Sequence, residues 1–288
     1  MGEKVTFIWC LIDPVCIASE KNGRGRVLVE KNLMSFILDC ESGASAFESL
    51  CVGFSCSKET LTNVLLSLDI EDVYRKHGDE INVVAERYLY DYVVANIGNH
   101  KPLTSVCWFH LTRTNKGNEF KDGILPLGES LDMVWEMILN VIQDDKVRKE
   151  LSLMWEAGDV GNSLYDMKSK ESSCWGPYAM LVKDIAFCPQ KLSLHDYLGM
   201  PEIIEDICKG YEERHGDSIL GICQKNLTPK IVKFRSSFYL DKSCLEAAIC
   251  YVYTYIRGLE PSRGAVMDFD GKGIGIQPED IMSLNPAI

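Results

Sequence analysis

The stretch Cys107-Trp-Phe-His110-Leu-Thr112-Arg113-Thr114 sets an apolar run against a histidine, two threonines and a guanidinium, then enters a loop rich in glycine and asparagine. Such a run reads as a buried strand, and the side chains at its end alternate between two faces. A strand stopping on His110, Thr112 and Arg113 is either an ordinary strand end or a set of hydrogen-bonding groups offered to a ligand. Two later segments carry matching chemistry. Ser173-Cys-Trp-Gly-Pro-Tyr178-Ala-Met-Leu puts a tyrosine at the head of a strand after a Gly-Pro turn, and Ala265-Val-Met-Asp268-Phe-Asp270 supplies carboxylates just before a turn. Each has a plain structural reading as well: a hydrogen-bonded histidine, a turn-to-strand aromatic, an aspartate setting a tight turn. Their joint order points to a site.

The motifs of several other chemistries are missing. The chain has no G-x-x-x-x-G-K-[ST] phosphate loop, no G-x-G-x-x-G opening a helix after a strand, and no G-x-S-x-G nucleophile elbow. Gly271-Lys-Gly-Ile-Gly275 is glycine-rich, but its place between two short strands predicts a hairpin turn. The 12 cysteines are scattered with no C-x-x-C, and His77, His100, His110, His195 and His215 do not fall at zinc-ligand spacing, so no structural metal is expected. No Cys/His pair is singled out for nucleophilic catalysis.

The order of the three segments resembles the ADP-ribosyltransferase superfamily, and within it the His-Tyr-Glu class of diphtheria-toxin-like and poly(ADP-ribose) polymerase-like enzymes. The likeness lies in strand-His110-x-Thr112, the Gly123-Ile-Leu-Pro126 turn, the Tyr178 strand, and a late strand followed by Pro278-Glu-Asp-Ile281. It covers roughly residues 102–288. The resemblance implies a split-sheet α+β domain over residues 101–288; residues 1–100 lie outside it and read as a mostly helical N-terminal region, a lid or accessory domain. It implies an NAD-dependent enzyme, of a bacterial toxin or defence kind, passing ADP-ribose to a protein, a nucleic acid or water. Carried over by position, His110 would hydrogen-bond the ribose next to nicotinamide and the Leu111 backbone would grip the nicotinamide amide. Thr112 or Arg113 would lie near the pyrophosphate, and Tyr178 would stack on the nicotinamide ring.

The third family residue is a glutamate that holds the ribose 2′-hydroxyl, and the matching strand here offers Asp268. Departure of nicotinamide builds positive charge on the ribose, which calls for a nearby carboxylate in a shielded, largely apolar pocket. Aspartate is one methylene shorter, so the strand must lie about an ångström closer, and misplacement on that scale can cost about a hundredfold in rate. Glu260 precedes a proline in a loop, and Glu279 lies in the tail after the strand. The departure opens a second reading, a catalytically silent, antitoxin-like interaction or regulatory protein, whose acidic charge suits a basic protein partner.

The elements that must position these groups follow from periodicity. With 288 residues, 46% hydrophobic and 25% charged, the chain is long enough for one large core or two modest ones. The net charge of −12 opposes nonspecific attraction to nucleic acid, although Lys225, Lys230, Lys233 and Arg235 lie close together. No apolar run reaches the roughly 18 residues of a membrane span, and no cationic leader opens the chain, which predicts a cytoplasmic protein. Cys40, Cys107, Cys208 and Cys250 sit in hydrophobic runs and are expected as reduced, buried thiols. Strands are expected over Val5–Leu11, Arg26–Val29, Tyr178–Phe187 and Ile231–Phe234, with a hairpin of Ala265–Phe269 and Ile274–Gln277. Helices are expected after Ser57, over Asp79–Ile97, from a Ser130 cap onward, and over Asp144–Trp155, Pro201–Glu213 and Leu245–Ile256. Helices in the first half and short strands among helices in the second read as α+β.

Overall fold

The computed structural model describes residues 35–78, 82–238 and 240–286. The expected strands over Val5–Leu11 and Arg26–Val29, and the first residues of the Asp79–Ile97 helix, lie outside that range. The described residues open with β1 (Phe36–Leu38), followed by α1 (Gly43–Phe54), α2 (Lys58–Leu66), α3 (Ile70–His77) and α4 (Ala85–Ile97). Ser57 caps α2 as its sequence predicts, its side chain accepting the Thr60 N–H. Then comes β2 (Leu103–Thr114), the spine of the sheet, whose Val106–Phe109 run is buried on both faces.

A helical segment interrupts the sheet: α5 (Leu127–Val141), α6 (Asp145–Ala157) and α7 (Ser163–Lys170). The short β3 (Tyr178–Met180) leads to α8 (Glu202–His215) and α9 (Leu220–Asn226). The chain ends with β4 (Thr228–Ser236), α10 (Lys242–Tyr255), β5 (Asp268–Asp270) and β6 (Ile281–Pro286). The class is α+β, as its sequence predicts.

The six strands among the described residues join one sheet, in the order β5-β3-β2-β4-β6, with β1 also paired to β2. β4 runs antiparallel along β2 from Val106↔Ser236 to Thr114↔Thr228. The opposite edge of β2 is shared: β1 pairs in parallel up to Leu38↔Val106, and β3 meets it only at Phe109↔Met180.

Packing unites residues on both sides of position 100. Leu38, Leu50, Leu61, Leu89 and Val93 lie in one hydrophobic core with Trp108, Phe234, Phe269 and the almost wholly buried α10. A division near residue 100 thus has no counterpart in the packing; residues from Met34 onward form one compact unit. A second core fills the helical segment, where Trp135, Ile138, Leu151, Tyr165, Ile207 and Tyr211 pack together. Cys40, Cys107, Cys208 and Cys250 are buried within or beside these cores.

Three expected elements change. β3 stops at Met180, and Lys183–Phe187 forms a 3-10 helix: Leu181 and Val182 are buried as a continuous apolar run, which period-2 reading cannot tell from a strand. The late hairpin does not form. β5 pairs with β3 instead, and Ile276 bridges to Ile124. The turn between them gives its hydrogen bonds to another loop, Gly271 N–H to the Pro177 carbonyl at 2.9 Å and Gly273 N–H to that of Gly176 at 2.6 Å. A Cβ at Gly271 would lie 2.6 Å from Pro177 Cδ, so the approach needs glycine. Finally, α5 starts at Leu127 with Pro126 at its cap, so Ser130 lies inside the helix.

Candidate functional site

Beyond Phe109↔Met180, β3 splays away from β2, and among the described residues no strand covers that edge of residues 110–114. Every second residue of that stretch turns its N–H and C=O away from β4 and toward the gap. The imidazole of His110 spans the opening, Nδ1–H donating to the Tyr178 carbonyl at 2.7 Å. That bond leaves Nε2 as the bare acceptor nitrogen. Burial lowers the His110 pKa below its ordinary value, against the opposing pull of that carbonyl, so the ring is neutral at pH 7.

The gap widens into a cavity of about 620 Å³, walled by the sheet edge on one side and by the helical segment on the other. Its lining includes His110, Leu111, Thr112, Tyr178 and Asp268, five of the six residues the sequence singles out. Arg113 is the sixth, and it is not among the lining residues. Its guanidinium donates to the carbonyls of Leu198 (2.6 Å), Gly199 (3.2 Å), Gln224 (2.5 Å) and Leu227 (2.7 Å). It fastens the α8 approach and the α9 end to β2, so the pyrophosphate role implied for it is not available.

Asp268 opposes Met180, and Asp270 opposes Tyr178, across the β3–β5 pair. The Asp268 carboxylate is exposed toward the cavity, yet the surrounding protein displaces enough water to raise its pKa, against the Arg263 charge. Tyr178 is 46% exposed, and burial of its remainder together with the Asp270 charge pushes its hydroxyl upward. Its ring is therefore an available, neutral aromatic face.

Several lining residues carry no motif in the sequence. Trp175 lies flat over the first turn of α5, where a Cβ at Gly128 would come within 2.5 Å of the indole. Its carbonyl accepts the Leu127 N–H at 2.9 Å, which joins this wall to the sheet edge. Tyr197 donates to Glu202 Oε1 at 3.3 Å, and Lys168 Nζ lies 2.9 Å from Glu202 Oε2 and 2.7 Å from Asp206 Oδ2. Burial alone would raise Glu202, but Lys168, His195 and the Tyr197 hydroxyl hold it below the usual carboxylate range. Burial and the Glu202 charge push the Tyr197 hydroxyl well up. A proline followed by a glutamate signals only a helix start in sequence, so Glu202 is legible as a first-turn acid and nothing more.

The arrangement offers a neutral acceptor nitrogen, aromatic faces from Tyr178, Trp175 and Tyr197, and carboxylates on two walls. Lys168 is the lysine in the lining and is already paired, so the cavity is net acidic and favours a cationic group. Among the described residues, no cluster of histidine, cysteine and carboxylate side chains is placed to hold a metal ion. No described helix is long and apolar enough to cross a membrane. Comparison with protein-family models, curated proteins and solved structures finds no match to this chain.

Proposed function

We propose that the chain is an NAD-dependent ADP-ribosyltransferase acting on a macromolecular acceptor. The observation that carries this reading is that His110, Tyr178 and Asp268, drawn from three strands, line one cavity. In this reading the nicotinamide ring, cationic in NAD, stacks on Tyr178, and the exposed strand edge around Leu111 and Thr112 binds the amide through backbone groups. His110 Nε2 accepts a hydroxyl of the adjoining ribose. Asp268 holds the 2′-hydroxyl and faces the positive charge that grows at the anomeric carbon as nicotinamide leaves. The cavity is acidic and Arg113 is engaged elsewhere, so the cationic nicotinamide-ribose end fills it and the diphosphate projects toward solvent. Incubation with NAD tests the reading through nicotinamide release. Asp268→Asn should lower the rate by about a hundredfold, and an unchanged rate would remove Asp268 from the site.

A second reading, a catalytically silent interaction or regulatory protein, is supported by the aspartate in place of glutamate and by the net acidic cavity, whose lysine, Lys168, is already paired. It predicts a stable complex with a basic protein and no consumption of NAD by the purified chain. Turnover by purified protein, lost in the Asp268 variant, would exclude it.

A further inference from the structure

We infer that Glu202 is the general base that takes the proton of a hydroxyl acceptor, with Lys168 and Tyr197 as its positioning residues. The inference rests on the proposed ADP-ribosyl transfer and assigns a second carboxylate to it.

The reaction leaves a proton unaccounted for by Asp268. The glycosidic C–N bond breaks and its electron pair leaves with nicotinamide, whose ring nitrogen thereby becomes neutral and needs no proton. A lone pair on the acceptor oxygen forms the new C–O bond, and the acceptor must shed its hydrogen as a proton. Asp268, engaged with the ribose hydroxyl, is occupied on the sheet side. A glycosidic centre flanked by two carboxylates, one facing the cation and one activating the incoming hydroxyl, is the division of labour used in glycoside hydrolysis.

Glu202 has the placement for the second role. It is the first residue of α8 and lines the same cavity as Asp268. Tyr197 lines the same cavity as Asp268 and donates its hydroxyl to Glu202 Oε1 at 3.3 Å. A purely structural tether between α7 and α8 is complete without Glu202, because Lys168 reaches Asp206 at 2.7 Å and that carboxylate is only 8% exposed. The Glu202 side chain keeps 38% of its surface open. Each of its oxygens accepts one bond, from Tyr197 and from Lys168, and each retains a lone pair for an acceptor proton. These two donors also fix the carboxylate in the ionised form that a base requires, while Asp268 on the other wall is shifted the opposite way. The proton taken up by Glu202 returns to solvent once the product leaves.

The test uses Glu202→Gln, which keeps the shape of the side chain, and azide, an anionic nucleophile with no proton to lose. Wild-type protein and the variant are compared for NAD affinity, melting temperature and nicotinamide release. The expected result is a folded variant that still binds NAD, with a somewhat lower melting temperature from the lost Lys168 bond, release slowed by about a hundredfold, and recovery with azide accompanied by an ADP-ribosyl azide product. A variant as fast as wild type overturns the inference, as does a slow variant that binds NAD and is not restored by azide. Absence of nicotinamide release from wild type overturns the transferase reading and this inference with it, so the two failures are distinct. Should the glutamine variant not fold, Tyr197→Phe reads the same step: a slower release restored by azide supports the base, and a rate equal to wild type contradicts it.

Discussion

At the residue scale, the site trades stability for chemistry at Asp268. Its carboxyl is raised by burial, so in the folded protein it protonates at higher pH than in the unfolded chain. The ionised form therefore costs stability at neutral pH, and Asp268→Asn is expected to raise the melting temperature while it abolishes most nicotinamide release. A variant that melts lower would show that the carboxylate is held by partners instead. The same shift sets the pH profile: as pH falls, Asp268 gains its proton above the ordinary carboxylate range, and kcat/KM falls with it. Arg113 makes the opposite kind of contribution. Arg113→Ala leaves four carbonyls without their charged donor, with an expected loss of about 3 kcal/mol; chemical denaturation reads it. Of these residues, Tyr178 and Asp268 are legible in sequence because each opens a strand, and His110 because it follows the buried apolar run, although β2 continues past it to Thr114. The engagement of Arg113 is not, since its carbonyl partners lie up to 114 residues away.

At the element scale, the cavity exists because β2 is longer than the strands beside it. β2 spans 12 residues, β3 only 3, and the imidazole of His110 replaces the next backbone bridge. The residue types over Tyr178–Phe187 predict a longer β3, because a buried apolar run and an alternating strand share them. The glycine-rich turn predicts β5 folded onto the following segment, whereas both go to distant partners, since local turn chemistry carries no information on which loop lies opposite. The loop after β1 is fastened to β4 by Lys233, which is 6% exposed and reaches Asp39 at 2.6 Å and Glu41 at 2.7 Å. Hydrogen bonding to Lys233, opposed by burial and helped by Lys183, lowers Glu41. That stability is present above the unfolded carboxylate pKa of about 4.3 and is lost as pH falls through the lower folded value. Lys233→Met should cost about 2 kcal/mol at pH 7 and flatten the acid limb of the stability curve. An unchanged limb would place the linkage elsewhere.

At the scale of the whole molecule, the helices before β2 are part of the sheet's core. The α+β class was legible from the alternation of periods, whereas the unity of that core was not. Leu38, Leu50 and Leu89 fall in separate local patterns, and only the folded chain brings them against Trp108 and Phe269. A chain beginning at residue 101 is therefore expected to show no cooperative thermal transition, because its sheet would expose the surface that α1, α2 and α4 cover. A sharp melt from that fragment would contradict the shared core.

The central claim concerns the uncovered edge of β2 at His110, and one measurement addresses it most directly. Calorimetric titration of NAD into the purified protein and its His110→Ala variant, with nicotinamide followed in the same samples, reads binding and bond cleavage together. The account predicts heat and nicotinamide from the wild type, and loss of nicotinamide release from a folded variant. Equal release from both proteins, or neither heat nor nicotinamide from the wild type, would contradict it.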